Sequence, residues 1–143
     1  MSYNFKRALG IALAFYVANF VVGIIAGLIS GQDMSSMNTI SDSFWYLGMV
    51  AAVVLTAIFT MWYFRNPSIK PSAKNGFYFG LTSVIVAFIL DFVFLALGNA
   101  GGGNFDMTEY YSDYRFWIIV VLALLTAKLV GYKLGSKDPV NPV

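Results

Sequence analysis

The sequence contains no cysteine and no histidine. The first absence excludes disulfides, thiol redox chemistry and thiolate metal sites. The second removes the commonest general base, the usual zinc ligand and the proximal haem ligand, and with them serine–histidine hydrolysis. Charge is scarce as well. Only 11% of the 143 residues are charged, whereas 59% are hydrophobic. A soluble domain carries about 25% charged residues, so the ionised groups are too few to wet a globular surface. The composition therefore excludes an ordinary soluble domain, a disordered chain and a nucleic-acid binder with a basic face. No metal, cofactor or enzymatic chemistry is indicated. The acids Asp33, Asp42, Asp91, Asp106, Glu109, Asp113 and Asp138 are scattered, with only Asp106, Glu109 and Asp113 close together.

What is present is a set of long apolar runs. Crossing a hydrocarbon core of about 30 Å takes about 20 apolar residues in a helix. Four stretches qualify: 8–30, 43–64, 76–98 and 115–135. Asp91 interrupts the third; Lys128 and Lys133 interrupt the fourth. The runs do not alternate as lipid-facing strands do. The expected fold is thus all-α: a polytopic membrane bundle of four antiparallel transmembrane helices forming a single domain. The first run follows Lys6 and Arg7 but exceeds the h-region of a signal peptide and lacks a small-residue cleavage motif after it, so a retained helix is expected.

Lysine and arginine set the expected orientation. Lys6 and Arg7 precede the first run, Arg65, Lys70 and Lys74 follow the second, and Lys137 follows the fourth. The segments 31–42 and 99–114 hold no lysine or arginine. Both termini are expected in the cytoplasm of a cell-membrane protein, with the acidic segments outside, where they could meet a cation or partner. Aromatic triplets at Phe44–Tyr46, Trp62–Phe64 and Phe77–Phe79, and Tyr114, Phe116 and Trp117, stand at the borders of the runs, as interfacial anchors do. The glycine-rich stretch 98–104 reads as a slack linker. No inverted repeat is visible, so the inverted-repeat transporter design is not indicated.

Lipid is as apolar as leucine, so membrane helices associate through close packing at small residues. Such ridges recur at spacing four: Asn19, Gly23, Gly27 and Gly31 in the first run, with a second edge at Gly10, Ala14 and Ala18; then Gly48, Ala52, Thr56 and Thr60. The third run carries Gly76, Gly80, Ser83 and Ala87, leading to Asp91, and the fourth Ala123, Ala127, Gly131 and Gly135. The two small edges of the first run leave one for another protomer.

Asp91 is the principal candidate functional residue. It lies about four positions past the middle of its run, roughly 6 Å off centre. A carboxylate facing lipid there costs about 2.5–3.5 kcal/mol, and its small-residue face turns it into the bundle. It is expected either to bind a proton or cation or to pin the bundle. Lys128 and Arg115 are candidate ion partners, each offset from it by roughly 10 Å along the axis; snorkelling to the interface is the competing fate of Lys128. Asn19, at mid-span, is expected to hydrogen-bond across helices. Thr56, Thr60, Thr82, Ser83 and Thr126 are expected to bond the carbonyls one turn back.

Familiar small membrane families fail on residues. Small multidrug exporters place a carboxylate in the first helix, where this chain has Asn19. Intramembrane aspartyl proteases need two aspartates, and rhomboid-type proteases need a histidine; four helices are too few for a retinal protein. The basic segment before Gly76-Phe77-Tyr78-Phe79-Gly80, Leu90-Asp91 and Tyr110-Tyr111-Ser112-Asp113 resemble a set of small four-helix membrane proteins of bacteria and archaea that carry no assigned activity. The resemblance spans about half of the chain and implies only the fold. Two functions are in view: a non-catalytic membrane subunit packing through glycine ridges, and a small oligomeric channel or transporter using Asp91. The lack of a dense polar pathway favours the subunit. Partners are the lipid bilayer and either further copies or a larger membrane protein, not nucleic acid.

Overall fold

A computed structural model describes residues 3–31, 40–102 and 107–136, except the Glu109 side chain. Asp33, Asp106, Lys137 and Asp138, and most of the 31–42 segment, lie outside the described residues, as do residues 103–104 of the glycine-rich stretch, whose residues 98–100 are helical rather than a slack linker. All regular structure among the described residues is helical: α1 (Phe5–Ser30), α2 (Asp42–Phe64), α3 (Ala73–Ala100), α4 (Thr108–Ser112) and α5 (Tyr114–Gly135). The helices α1, α2, α3 and α5 are long and apolar enough to cross a membrane, as expected from the four runs.

Caps set the boundaries. Asn4 accepts from the Arg7 N–H at 3.0 Å, Ser72 from Asn75 at 3.1 Å and Asp113 from Arg115 at 2.8 Å. These side chains satisfy amide groups that have no partner within the helix. They start α1 and α3 three residues before the apolar runs do. Rising 1.5 Å per residue, the 28 residues of α3 extend about 42 Å, beyond the hydrocarbon thickness. Gly31 closes α1 at φ 67°, in the left-handed region where glycine is unstrained. Its role is to end the helix rather than to pack.

The arrangement of side chains is inverted relative to a soluble bundle. The buried set is rich in alanine (Ala8, Ala12, Ala26, Ala52, Ala127), whereas Phe20, Leu28, Ile29 and Leu97 are 61–73% exposed. Large apolar side chains turned outward around a small-residue interior require an apolar surround.

Each of α1 and α5 packs against both α2 and α3, α2 and α3 meet briefly, and α1 and α5 do not touch. The four long helices thus form a ring with α1 and α5 across a diagonal. The seam of α3 with α5 is the closest. A Cβ on Gly76 would overlap the Ala127 carbonyl, one on Gly131 the Ser72 carbonyl, and one on Gly135 would lie 2.6 Å from the Pro71 oxygen. At Gly80 the facing atom is the Ala127 Cβ, 3.0 Å away. The ridges of the third and fourth runs therefore mate with each other. The ridge of the first run does not behave alike: Gly27 is buried, but nothing lies within 4 Å of a Cβ built at Gly10, Gly23 or Gly31. Within this chain Gly23 and Gly31 are not packing glycines, because the neighbouring helices lie to other sides of α1.

One end of the ring is filled. Tyr63, Phe79 and Ile69 are at most 2% exposed, and the Tyr63 and Phe79 rings stack at 4.9 Å. Arg7 donates from Nε to the Tyr63 carbonyl (3.1 Å) and from Nη2 to the Trp62 carbonyl (2.8 Å). A cation thereby serves the carbonyl end of α2, where Trp62 also accepts from the Arg65 N–H. The Asn4 N–H donates to the Tyr63 hydroxyl, and the hydroxyls of Tyr3 and Thr82 bond at 2.5 Å. Tyr63, Phe64 and Phe79 are core rather than interfacial anchors; Trp62 and Tyr78, 43% and 40% exposed, keep the anchoring position. Trp45, 1% exposed, is likewise interior.

Candidate functional site

Where α1 and α5 face each other across the diagonal, the interior is not filled. A cavity of about 230 Å³ is bounded by all four long helices and by α4. Ala52, Ser83, Ala87 and Ala123 supply small wall positions, and six of the other lining residues are aromatic: Phe15, Tyr16, Phe20, Phe88, Tyr110 and Phe116. Small residues on α2, α3 and α5 leave the space, since no side chain from those positions reaches the axis. Asp91 is the one charged residue among those described on its wall.

Asp91 is held by two phenols. Tyr16 of α1 donates to Oδ1 at 2.7 Å, and Tyr111 of α4 donates to Oδ2 at 2.8 Å. These two hydrogen bonds tie three separate elements, α1, α3 and α4, together. Each phenol is itself oriented by stacking: Tyr16 on Phe94 at 6.2 Å, Tyr111 on Phe88 at 5.6 Å and on Phe92 at 6.2 Å. Tyr110 reaches the cavity from α4 and stacks on Trp45 at 5.3 Å.

A charged clamp fixes the start of α5 beside this aromatic group. Arg115 donates to Asp113 from Nε and from Nη2, the latter at 2.7 Å, and its Nη1 bonds Asp42, the first residue of α2. Its guanidinium also lies 5.3 Å from the Trp45 ring centroid, a cation–π distance. The Arg115 hydrogen bonds hold the Asp113 carboxyl below the ordinary aspartate range. Burial, with the Asp91 charge second, pushes the Tyr110 hydroxyl up to about 12. Tyr111 is raised by burial first, then by its donation to Asp91.

Several expectations are revised here. Neither cationic partner proposed for Asp91 reaches it: Arg115 is engaged by Asp42 and Asp113, and Lys128 is exposed with no partner among the described residues. Lys128 points outward because position 127, which is buried, occupies the seam with α3. Asn19 lines the cavity but donates to the Phe15 carbonyl of its own helix at 3.0 Å instead of bridging helices. Ser83 and Thr82 bond the carbonyls one turn back, at 3.0 Å and 2.9 Å, whereas the buried hydroxyls of Thr56 and Thr60 make no hydrogen bond.

Sequence reasoning missed Tyr16 and Tyr111 as partners of Asp91. The available signal was a lone tyrosine in mid-span, whose hydroxyl cannot be satisfied by lipid. Tyr111 carried no comparable signal, since α4 forms in a segment with neither length nor apolar periodicity. Among the described residues no three acidic side chains gather to hold a metal ion. No family model, curated protein or solved structure matches this chain.

Proposed function

We propose that this chain is a multi-pass protein of the cell membrane that binds a cation or proton at Asp91, as a small transporter or channel. The observation that carries the reading is a half-open cavity between the helices, on whose wall Asp91 is the one charged residue among those described. An acid at such depth that served only as a pin would be expected to meet packed side chains. Here it borders open volume, and the phenols that hold it come from two other elements.

The antiparallel arrangement is supported by contacts at both ends. Asn4, before α1, bonds Tyr63 near the end of α2, while Asp42 at the start of α2 meets Arg115 near the start of α5, so those two run parallel, as alternate helices of an up-and-down bundle do. Gly76 early in α3 faces Gly131 late in α5. With the basic segments inside, both termini are cytoplasmic, the Tyr63 plug is on the inner side and α4 covers the outer mouth. A chain without native cysteine suits single-cysteine topology mapping. In this orientation Ser68→Cys reacts with an impermeant maleimide only after the membrane is opened, and Ser36→Cys reacts in intact cells; the reverse pattern refutes the orientation.

The functional test is flux. Wild type and Asp91→Asn are reconstituted in proteoliposomes, and voltage-driven uptake of protons, sodium or potassium is followed. Wild-type uptake that Asp91→Asn abolishes supports the reading, and equal rates in the two proteins refute it.

The second reading, a non-catalytic membrane subunit, is favoured by one feature of α1. Gly10 and Gly23 have open space beside them, the kind of small-residue surface that packs against another transmembrane helix. Cross-linking in the native membrane separates the two, since a dedicated subunit is recovered with a larger protein rather than alone or with its own copies.

A further inference from the structure

We infer that the ligand of the Asp91 cavity is a small organic ammonium ion; this rests on the cation-site reading above. Charge comes first: Asp91 is the only Asp, Glu, Lys or Arg among the described residues on the wall, so the site favours a positive ligand. Its two oxygens each accept one hydrogen bond from a phenol, and each carboxylate oxygen has room for a second. The phenols fix the carboxylate without consuming its capacity to meet a cation.

The rest of the wall decides which cation. Calcium takes 6–8 oxygen ligands, and magnesium demands near-octahedral oxygens. Beside the Asp91 carboxyl the wall offers only neutral oxygens, the hydroxyls of Tyr16, Ser83 and Tyr110 and the amide carbonyl of Asn19, so a divalent ion would meet a single acidic group. A bare metal ion would have to shed water against carbon. Six aromatic residues bound the same space. Aromatic faces attract a weakly hydrated cation, and cages of such rings beside a charge suit substituted ammonium groups. Alkyl groups on nitrogen would also bury apolar surface against Ala87 and Ala123.

Size agrees. At a liquid share of about 30 Å³ per water, the 230 Å³ cavity equals roughly seven or eight waters. That suits an amine with a few carbons and falls below the about 300–1,000 Å³ typical of pockets for drug-sized ligands. Phe20 lines the cavity yet is 61% exposed, so it borders the lipid side and contributes a ring without supporting the core.

The test uses the full chain in lipid nanodiscs, with choline as the cationic probe and 3,3-dimethyl-1-butanol as its uncharged carbon isostere. Calorimetric titration is expected to show saturable choline binding and a choline-dependent rise in melting temperature, with the isostere much weaker. Asp91→Asn weakens choline by about thirtyfold or more, as expected on removing one partner of a desolvated charge pair. Phe20→Leu weakens choline by about two- to thirtyfold and leaves the isostere nearly unchanged. If Asp91→Asn fails to fold, Phe20→Leu and the isostere comparison carry the test. Equal binding of choline and isostere, or no choline binding by folded wild type, overturns the inference. Sodium or potassium binding that depends on Asp91 would, in that case, leave the broader cation-site reading standing. Absence of Asp91-dependent binding for every cation would remove both.

Discussion

Alanine substitution at glycines of different helices is expected to give opposite results, although the chemical change is identical. At Gly76 and Gly131 the added Cβ meets backbone of the facing segment, the carbonyls of Ala127 and Ser72, inside van der Waals contact. At Gly135 the corresponding gap is 2.6 Å, to the Pro71 oxygen, about 0.9 Å short of a relaxed contact near 3.5 Å. No side chain can swing away from any of these clashes. Relief requires α3 and α5 to separate along their seam, which also loosens Gly80 against Ala127. Overpacking of this kind costs about 1–3 kcal/mol, and alanine's higher helix propensity offsets about 1 kcal/mol of it. Gly76→Ala and Gly131→Ala should therefore destabilise the bundle, and the double variant should be less than additive, since one separation relieves both. At Gly23 a Cβ meets nothing within 4 Å, so Gly23→Ala keeps the propensity gain and is neutral or stabilising. Far-UV circular dichroism melts in one detergent, with SDS titration for free energies, measure the set. Wild-type stability in Gly76→Ala and Gly131→Ala would refute the close α3–α5 seam. A loss at Gly23 that vanishes when the protein is diluted to monomers would instead place a second copy against α1.

Other expectations concern the two ends of the bundle. Arg7→Met leaves the Trp62 and Tyr63 carbonyls without their charged donor; at about 1.5–3 kcal/mol per such bond, a clear fall in melting temperature is expected, which Arg7→Lys restores only in part. Because Asp113 has a lowered pKa when folded, its contribution is present at neutral pH and is lost as pH falls below the ordinary aspartate value of about 4. Asp113→Asn should flatten that acid limb of the melting profile. Tyr110 is raised, so its contribution is complete below the ordinary tyrosine value of about 10 and disappears as pH climbs toward about 12. Tyr110→Phe should resist that alkaline loss, with tyrosinate absorbance reporting the titration. Lys128→Ala should leave stability within about 0.5 kcal/mol of wild type, as for a surface substitution, because Lys128 is exposed and has no partner among the described residues.

Much of the architecture follows from composition and spacing. A low content of charge and four apolar runs of sufficient length impose helices, since hydrocarbon cannot satisfy a free backbone. The span positions are local properties of that kind, and so are the caps at Asn4, Ser72 and Asp113, which are set by neighbours in the chain. Asp91 stands out for the same reason, as a single carboxylate in an apolar run. What it touches is not local. Tyr16 lies 75 residues away and Tyr111 lies 20 residues away; a tyrosine in mid-span signals that it needs a partner but not which one, and nothing in the spacing distinguishes Tyr111 from other loop aromatics. Likewise Gly23 and Gly131 sit in indistinguishable small-residue ridges, yet only Gly131 meets another backbone. The glycine pattern fixes where close approach is allowed, while the order of helices around the ring decides where it occurs. The cavity arises the same way: α1 and α5 stand across a diagonal, and small residues from three helices converge on the gap between them. The sequence alone thus determines an apolar helical protein with one acid inside an apolar run. The tertiary structure alone decides that this acid borders an aromatic cavity, because burial and partnership depend on which helices become neighbours.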